Sequence, residues 1–303
     1  MDGILNVLKP PGMTSFDVVG YLRKVLKIRK IGHTGTLDPE VAGVLPICIG
    51  KATKAMEFMV EKDKVYRAEL TLGTVTDTQD STGKAIQTFA VTASEESIRE
   101  AVNSFTGKYR QVPPMYSAVK VNGKKLYELA RSGITIEREP REVEIYSINI
   151  LYVGRDPDKD IGGKNRVLFD VHCSKGTYVR TLCADIGEKL GCGGHMSFLL
   201  RLKSGIFDIS DAITLDEIRS LAENGLLNEK LINAEAVFEN LRRIELDQQS
   251  ERKFLNGQYV KCPKNCTAGE TVRVYDSRGT FLALGEIKQV EDHMRLKSKK
   301  LFI

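Results

Sequence analysis

The chain has 303 residues, 42% of them hydrophobic, enough for two domains or for one large domain with an appendix. Its 45 Lys and Arg against 40 Asp and Glu leave a net charge of +5, a surplus that permits a nucleic-acid partner without demanding one. The uncharged apolar run Val41 to Gly50 is far too short for a membrane span and contains Pro46. The apolar stretch Ile4 to Leu8, cut off by Lys9-Pro10-Pro11, is too short for the core of a secretory leader.

Asp2 to Leu8 reads as a strand running into a Lys-Pro-Pro-Gly turn, after which Ser15 can cap a helix with Val18, Val19, Leu22, Val25 and Leu26 on its apolar face. Lys51 to Met59 has helical spacing, and Val65 to Leu72 alternates as a strand. Thr92-Ala93-Ser94-Glu95 has the form of a capping box before a helix that aligns Ile98, Ala101, Val102 and Phe105. Val143 to Val153 and Arg166 to His172 are β-like, separated by the Gly/Asp-rich stretch 154–163. Tyr178 to Leu190 predicts an amphipathic helix, a further helix starts at Thr214 with Glu217 three residues on, and another is expected over Leu227 to Phe238. From about Ile244 short β-like runs broken by turns suggest a small β-rich module or an extension of the main sheet. Strands and helices mix without a regular βαβ rhythm, which predicts an α+β fold.

Asp38 lies in Gly32-His33-Thr34-Gly35-Thr36-Leu37-Asp38-Pro39, a Gly/Thr/Pro loop followed by an apolar run. A carboxylate held there is poorly solvated on one side and suits a nucleophile or base; an ordinary loop aspartate capping the next element is the alternative. Lys108, Tyr109, Arg110, Tyr116, Lys120, Lys124, Lys125, Tyr127 and Arg131 interleave cations and aromatics. That mixture suits single-stranded or loop RNA, and equally a solvated helix face over core tyrosines. Asp77 and Asp80 raise a metal-nuclease reading but lack a third acid at suitable spacing. The six Cys, at 48, 173, 183, 192, 262 and 266, are expected to be free thiols in a reducing cytoplasm. Cys262 and Cys266 have a metal-like spacing, but no second Cys or His pair follows, so no metal is expected.

Lys9-Pro10-Pro11-Gly12-Met13-Thr14-Ser15, the Asp38 loop, Gly50-Lys51-Ala52-Thr53-Lys54, Tyr66, Val112-Pro113-Pro114-Met115-Tyr116-Ser117-Ala118-Val119-Lys120 and Cys173-Ser174-Lys175-Gly176-Thr177-Tyr178-Val179-Arg180-Thr181-Leu182 occur in that order. Together they resemble the TruB family of tRNA pseudouridine synthases over nearly the whole chain, most weakly after Phe238. The resemblance implies a pseudouridine synthase fold, with a central mixed, mostly antiparallel sheet in residues 1–240 and a PUA-like RNA-binding domain at 244–303. An insertion at about 108–140 would clasp the T stem-loop of tRNA. The implied activity converts the T-loop uridine, position 55, to pseudouridine.

In this resemblance Asp38 is the catalytic carboxylate, Arg180 its ion-pair partner and Tyr66 the ring that stacks on the flipped uracil, whose hydroxyl is also a candidate to take the C5 proton. Asp38 attacks C1′, attacks the base or takes a sugar proton; all three require an ionised carboxylate, which a neighbouring guanidinium favours. His33, Tyr178, Leu199 (with Leu200 as a substitute) and Lys9 are the implied substrate-binding residues, Lys9 chiefly as a buttress of the Asp38 loop. Lys108, Tyr116, Lys120, Lys124, Lys125 and Arg131 are the implied RNA-binding residues. The isomerisation needs no cofactor, and tRNA is the expected partner of a cytoplasmic monomer with no required protein partner and no membrane association. A tRNA-folding chaperone and a guide-RNA-dependent rRNA enzyme of related fold are the alternatives.

Overall fold

The computed structural model describes residues 1–155 and 165–303, apart from Ala118, Asn122 and the side chains of Lys120 and Arg155. From 156 on, the Gly/Asp-rich stretch therefore lies outside the described residues. A nine-stranded sheet forms the body. Its main path runs Gly3–Lys9, Ala42–Ile49, Gly194–Ser204, Lys64–Leu72, Asn165–Cys173, Arg141–Arg155 and Gly107–Gln111. All neighbours pair antiparallel except Gly194–Ser204 against Ala42–Ile49, where the parallel contact is confined to Leu200↔Ala42 and Arg201↔Gly43. The loop carrying Asp38 ends at Ala42, so this short parallel contact sets it beside the strand that carries Leu199 and Arg201. The α+β class and the mixed, mostly antiparallel sheet are as the sequence implies.

Helices cover the sheet through the apolar stripes their spacing predicts. Val18, Val19 and Leu22 of the Ser15–Leu26 helix are buried against Leu5, Val7, Leu45 and Ile47, and each such side chain contributes about 1.5–3 kcal/mol by leaving water. Val179, Leu182, Cys183 and Ile186 of the Val179–Lys189 helix pack with Ile98 and Val102 on the strands around Ala68, Leu70 and Phe169. Thr214 and Glu217 form the expected capping box.

Four local expectations are corrected. The cap of the first helix is Thr14, whose hydroxyl accepts from the Asp17 amide, and not Ser15; Ser15 Oγ instead accepts from the Leu37 amide at 2.9 Å and so holds the Asp38 loop. The cap of the Glu95–Asn103 helix is Ser94 and not Thr92, because the hydroxyl in reach of a free amide is the one next to the first turn. Leu227 to Phe238 is not one helix but two 3₁₀ turns, Leu227–Lys230 and Ala234–Phe238. Between them Ile232 exchanges backbone hydrogen bonds with Ile4 at 2.8 and 2.9 Å, which a helical residue cannot do. Cys262 and Cys266 are joined in a disulfide across a turn in which Asn265 is left-handed (φ 65°) and Arg242 donates to the Lys264 and Asn265 carbonyls. Cys48, Cys173, Cys183 and Cys192 are free and buried.

Residues from Arg243 on form a five-stranded sheet in the order Arg243–Glu245, Thr271–Tyr275, Phe281–Val290, His293–Leu301, Val260–Lys261. It meets the body through edge-on and tilted rings: Phe238 lies 5.3 Å from Phe58, 6.3 Å from Phe281 and 5.7 Å from Phe302.

Gly43 lies where two backbones of the sheet approach closely. Its φ is +122°, and a Cβ there would lie 2.3 Å from the Arg201 carbonyl oxygen. Gly43→Ala is expected to lower the unfolding free energy by about 2 kcal/mol or more, read from the denaturant midpoint; an unchanged midpoint would mean the two strands can part without loss.

Candidate active site

The Asp38 loop is pinned along its length. Leu37 and Val41, either side of Asp38, are each 4% exposed and anchor it in the core. Thr34 N donates to Pro46 O at 3.1 Å, Gly12 N to Pro39 O at 3.0 Å, and Val41 N back to Asp38 O at 3.1 Å. Lys9 Nζ donates to the carbonyls of Pro10, Met13 and Pro39 at 2.8, 2.5 and 2.9 Å. Lys9 is 0% exposed, so the expected substrate contact there is corrected: its three donors are spent on carbonyls, and only the buttressing role fits.

Asp38 itself points into an open cleft of about 680 Å³. Its Oδ2 lies 3.2 Å from Nη2 of Arg180, on the first turn of the Val179–Lys189 helix. Arg180 is nearly enclosed and serves four partners from three segments at once. Besides Asp38 it pairs through Nη1 with Asp80 Oδ2 at 3.4 Å, and it donates to the carbonyls of Thr78 at 3.4 Å and Tyr116 at 2.9 Å. Asp80 is held for this contact by its own turn, where its Oδ1 accepts from Thr78 Oγ1 at 2.7 Å and from the Thr82 amide at 3.0 Å. Gln79, left-handed at φ 64°, accepts from Thr181 Oγ1 at 2.9 Å and fastens that turn to the Arg180 helix.

The carboxyl of Asp38 sits above its ordinary range. Burial pushes it up, Arg180 pulls it down, Asp80 pushes it up again and Lys9 opposes. The guanidinium therefore favours ionisation, as the sequence implies, but burial outweighs it and Asp80 shares it.

Tyr178 and Leu199 line the cleft, with Thr36, Ser197 and Phe198 beside them. Gln111, 1% exposed, fixes Tyr178 by accepting from its amide at 2.8 Å and donating to its carbonyl at 3.1 Å. Tyr66 is partly buried and is not among the residues lining the cleft; it pairs with Arg201 across the sheet, and its electrostatic interaction reaches Asp38. His33 likewise does not line the cleft. Burial and the Arg201 charge hold it below its ordinary value, hence neutral, and its Nδ1 is buried without a partner.

From the insertion, Tyr116, Ser117, Tyr127 and Arg131 border the cleft. Lys125 Nζ and Arg131 Cζ lie 5.4 and 5.5 Å from the Tyr127 ring centre. Lys124 is exposed, and the Lys120 side chain lies outside the described residues. Lys108 is not brought to the cleft: it stands on the outermost strand, paired with Glu142 at 3.3 Å. Among the described residues no group of three or more His, Cys, Asp and Glu side chains is placed to hold a metal ion.

Residues 23–179 match the family model described as TruB family pseudouridylate synthase, N-terminal domain. Residues 180–237 match the tRNA pseudouridylate synthase B C-terminal domain, and 243–302 match the model described as pseudouridine synthase II TruB, C-terminal. The chain is 49% identical to the tRNA pseudouridine synthase B of Alkaliphilus oremlandii, over 97% of this chain and 95% of that one. It is 45% identical to that of Bacillus subtilis, over 94% and 92%. Among solved structures it resembles a chain of a Cbf5–Nop10–Gar1 complex, with a TM-score of 0.75, 27% identity and coverage of 99% and 85%. A chain of an H/ACA RNP bound to a substrate RNA gives a TM-score of 0.73 and 25% identity, with coverage of 99% and 85%. Sheet and cleft thus define a pseudouridine synthase, an isomerase. The chain belongs to the TruB family of these enzymes.

The opposed charges at Asp38 fix the sign of two substitutions. Arg180→Met removes the attraction and leaves burial and Asp80 unopposed by it, so the Asp38 titration midpoint, followed by carboxyl carbon NMR, rises. Asp80→Asn removes the repulsion and leaves the guanidinium to Asp38, so the midpoint falls. Displacement of both variants in one direction would contradict the arrangement.

Proposed function

We propose that this protein isomerises the T-loop uridine of tRNA, position 55, to pseudouridine, with Asp38 as the catalytic carboxylate. The full-length relatives named tRNA pseudouridine synthase B support the substrate. The Asp38–Arg180 pair at 3.2 Å, in an open cleft, is the observation that carries the assignment of the carboxylate. The bond from ribose C1′ to uracil N1 breaks, the base turns, C5 joins C1′, and the C5 proton leaves to restore the ring double bond. No electrons are gained or lost, so the chemistry asks for a placed carboxylate and a site that holds an everted nucleoside.

Asp38 acts in its ionised form on the sugar or the base, and Arg180 orients it by a planar fork. Tyr66 stacks on the everted uracil, with Tyr178 and Leu199 as walls and His33 against the displaced nucleotides. Unstacking the base costs a few kcal/mol, offset by these contacts. Residues 1–240 form the catalytic domain, and its insertion at about 108–140 clasps the T stem-loop with Tyr116, Lys120, Lys124, Lys125 and Arg131. Residues 244–303 add a PUA-like surface for the same RNA.

Asp38→Asn is expected to bind an unmodified tRNA transcript as the parent does while turnover falls by about 10³-fold or more, measured by mapping pseudouridine in the product. Parent activity on a bare T stem-loop is expected without any guide RNA. Conversion of the T-loop uridine by the Asn variant would remove Asp38 from the mechanism, and a requirement for guide RNA would remove the stand-alone substrate.

A further inference from the structure

Arg201 is 1% exposed in the middle of the sheet. Its Nε donates to Val44 O at 2.7 Å and its Nη2 to Gly35 O at 2.8 Å. Among the described residues no carboxylate forms an ion pair with it. In the antiparallel register it stands opposite Tyr66, and the guanidinium and the phenol interact electrostatically. The Asp38 loop is shaped to admit it, since a Cβ at Gly35 would lie 3.1 Å from Arg201 Nη1.

Two backbone carbonyls could be satisfied by a neutral donor. A permanent cation is the most expensive group to bury, and it asks for polar partners beyond two carbonyls. The sheet register sets the Tyr66 phenol, a neutral group with an acceptor oxygen, opposite it. One side chain therefore links the loop that presents Asp38 to the ring assigned to the everted base.

We propose that Arg201 is a positioning residue of the isomerisation that acts through the Tyr66 hydroxyl, fixing the phenol oxygen and with it the tilt of the ring against which uracil stacks. The inference rests on the stacking role given to Tyr66 above. Burial pushes the Tyr66 phenol above its ordinary value while Arg201 pulls it down, so the two groups are coupled electrostatically as well as by geometry.

The test is a double-mutant cycle on an unmodified tRNA transcript: single-turnover rates of Arg201→Gln, Tyr66→Phe and the double variant, with transcript affinity and thermal melting of each. Arg201→Gln is expected to slow turnover by about 30-fold with affinity kept within about threefold. In the Tyr66→Phe background the same change is expected to cost less than about twofold, and Arg201→Lys, which keeps the charge without the fork, to recover part of the rate only where Tyr66 is present. Losses that multiply in the double variant, or a parental rate in Arg201→Gln, overturn the proposal while leaving the Tyr66 assignment standing. A parental rate in Tyr66→Phe overturns the proposal and leaves the stacking role standing, whereas a parental rate in Tyr66→Leu, which removes the ring, overturns both. Should melting show Arg201→Gln unfolded, Arg201→Lys takes its place in the cycle with the same non-multiplicative outcome expected.

Discussion

One guanidinium holds the site together. Arg180 is shared by two carboxylates and two carbonyls drawn from the Asp38 loop, the Thr78–Asp80 turn and the insertion at Tyr116. A charge so enclosed is tolerated only when its donors are matched, and removing any partner leaves a buried polar group without compensation. That constraint explains why turn, loop and insertion, distant in sequence, meet at one helix N-terminus. It also makes the insertion part of the site, since the Tyr116 carbonyl is one of the acceptors.

Among the described residues three further cations are buried by a different means. Lys9, Lys64 and Arg201 are 0%, 8% and 1% exposed, and their donors go to backbone carbonyls. Burial brings Lys64 down to about 8. Carbonyl dipoles satisfy the donors of such ions without neutralising their charge.

How far the sequence announced this differs residue by residue. Asp38 was legible because a carboxylate between Gly, Thr and Pro has no helix or strand to belong to, and Arg180 because family motifs carried it. Tyr66 and His33 came by resemblance alone, and the fold sets both off the cleft lining. Asp80 was visible only as one acid in a turn; its meaning depends on a helix about a hundred residues later, which local pattern cannot supply. Nothing in the sequence marks Arg201 as buried; its strand's pairing with both Ala42–Ile49 and Lys64–Leu72 places it in the interior of the sheet. The long helix expected over Leu227 to Phe238 failed for a similar reason: pairing with Ile4 overrode local propensity. The Cys262–Cys266 bond escaped because the spacing alone does not show that the intervening turn brings the two sulfurs together.

In the reaction proposed for Asp38, Asp80 has a consequence for chemistry as well as for packing. A carboxylate served by a guanidinium alone would be held low, always ionised and correspondingly weak as a base or nucleophile. Burial and a second carboxylate raise Asp38 against that pull. Reactivity of an oxygen base grows with its pKa so long as the ionised form remains populated at working pH. The arrangement therefore combines two requirements that a simple ion pair sets against each other: Arg180 fixes the direction of the carboxylate, and Asp80, by drawing on the same guanidinium, keeps that fixing from quenching it. The Asx turn that holds Asp80 Oδ1 leaves Oδ2 free for this competition.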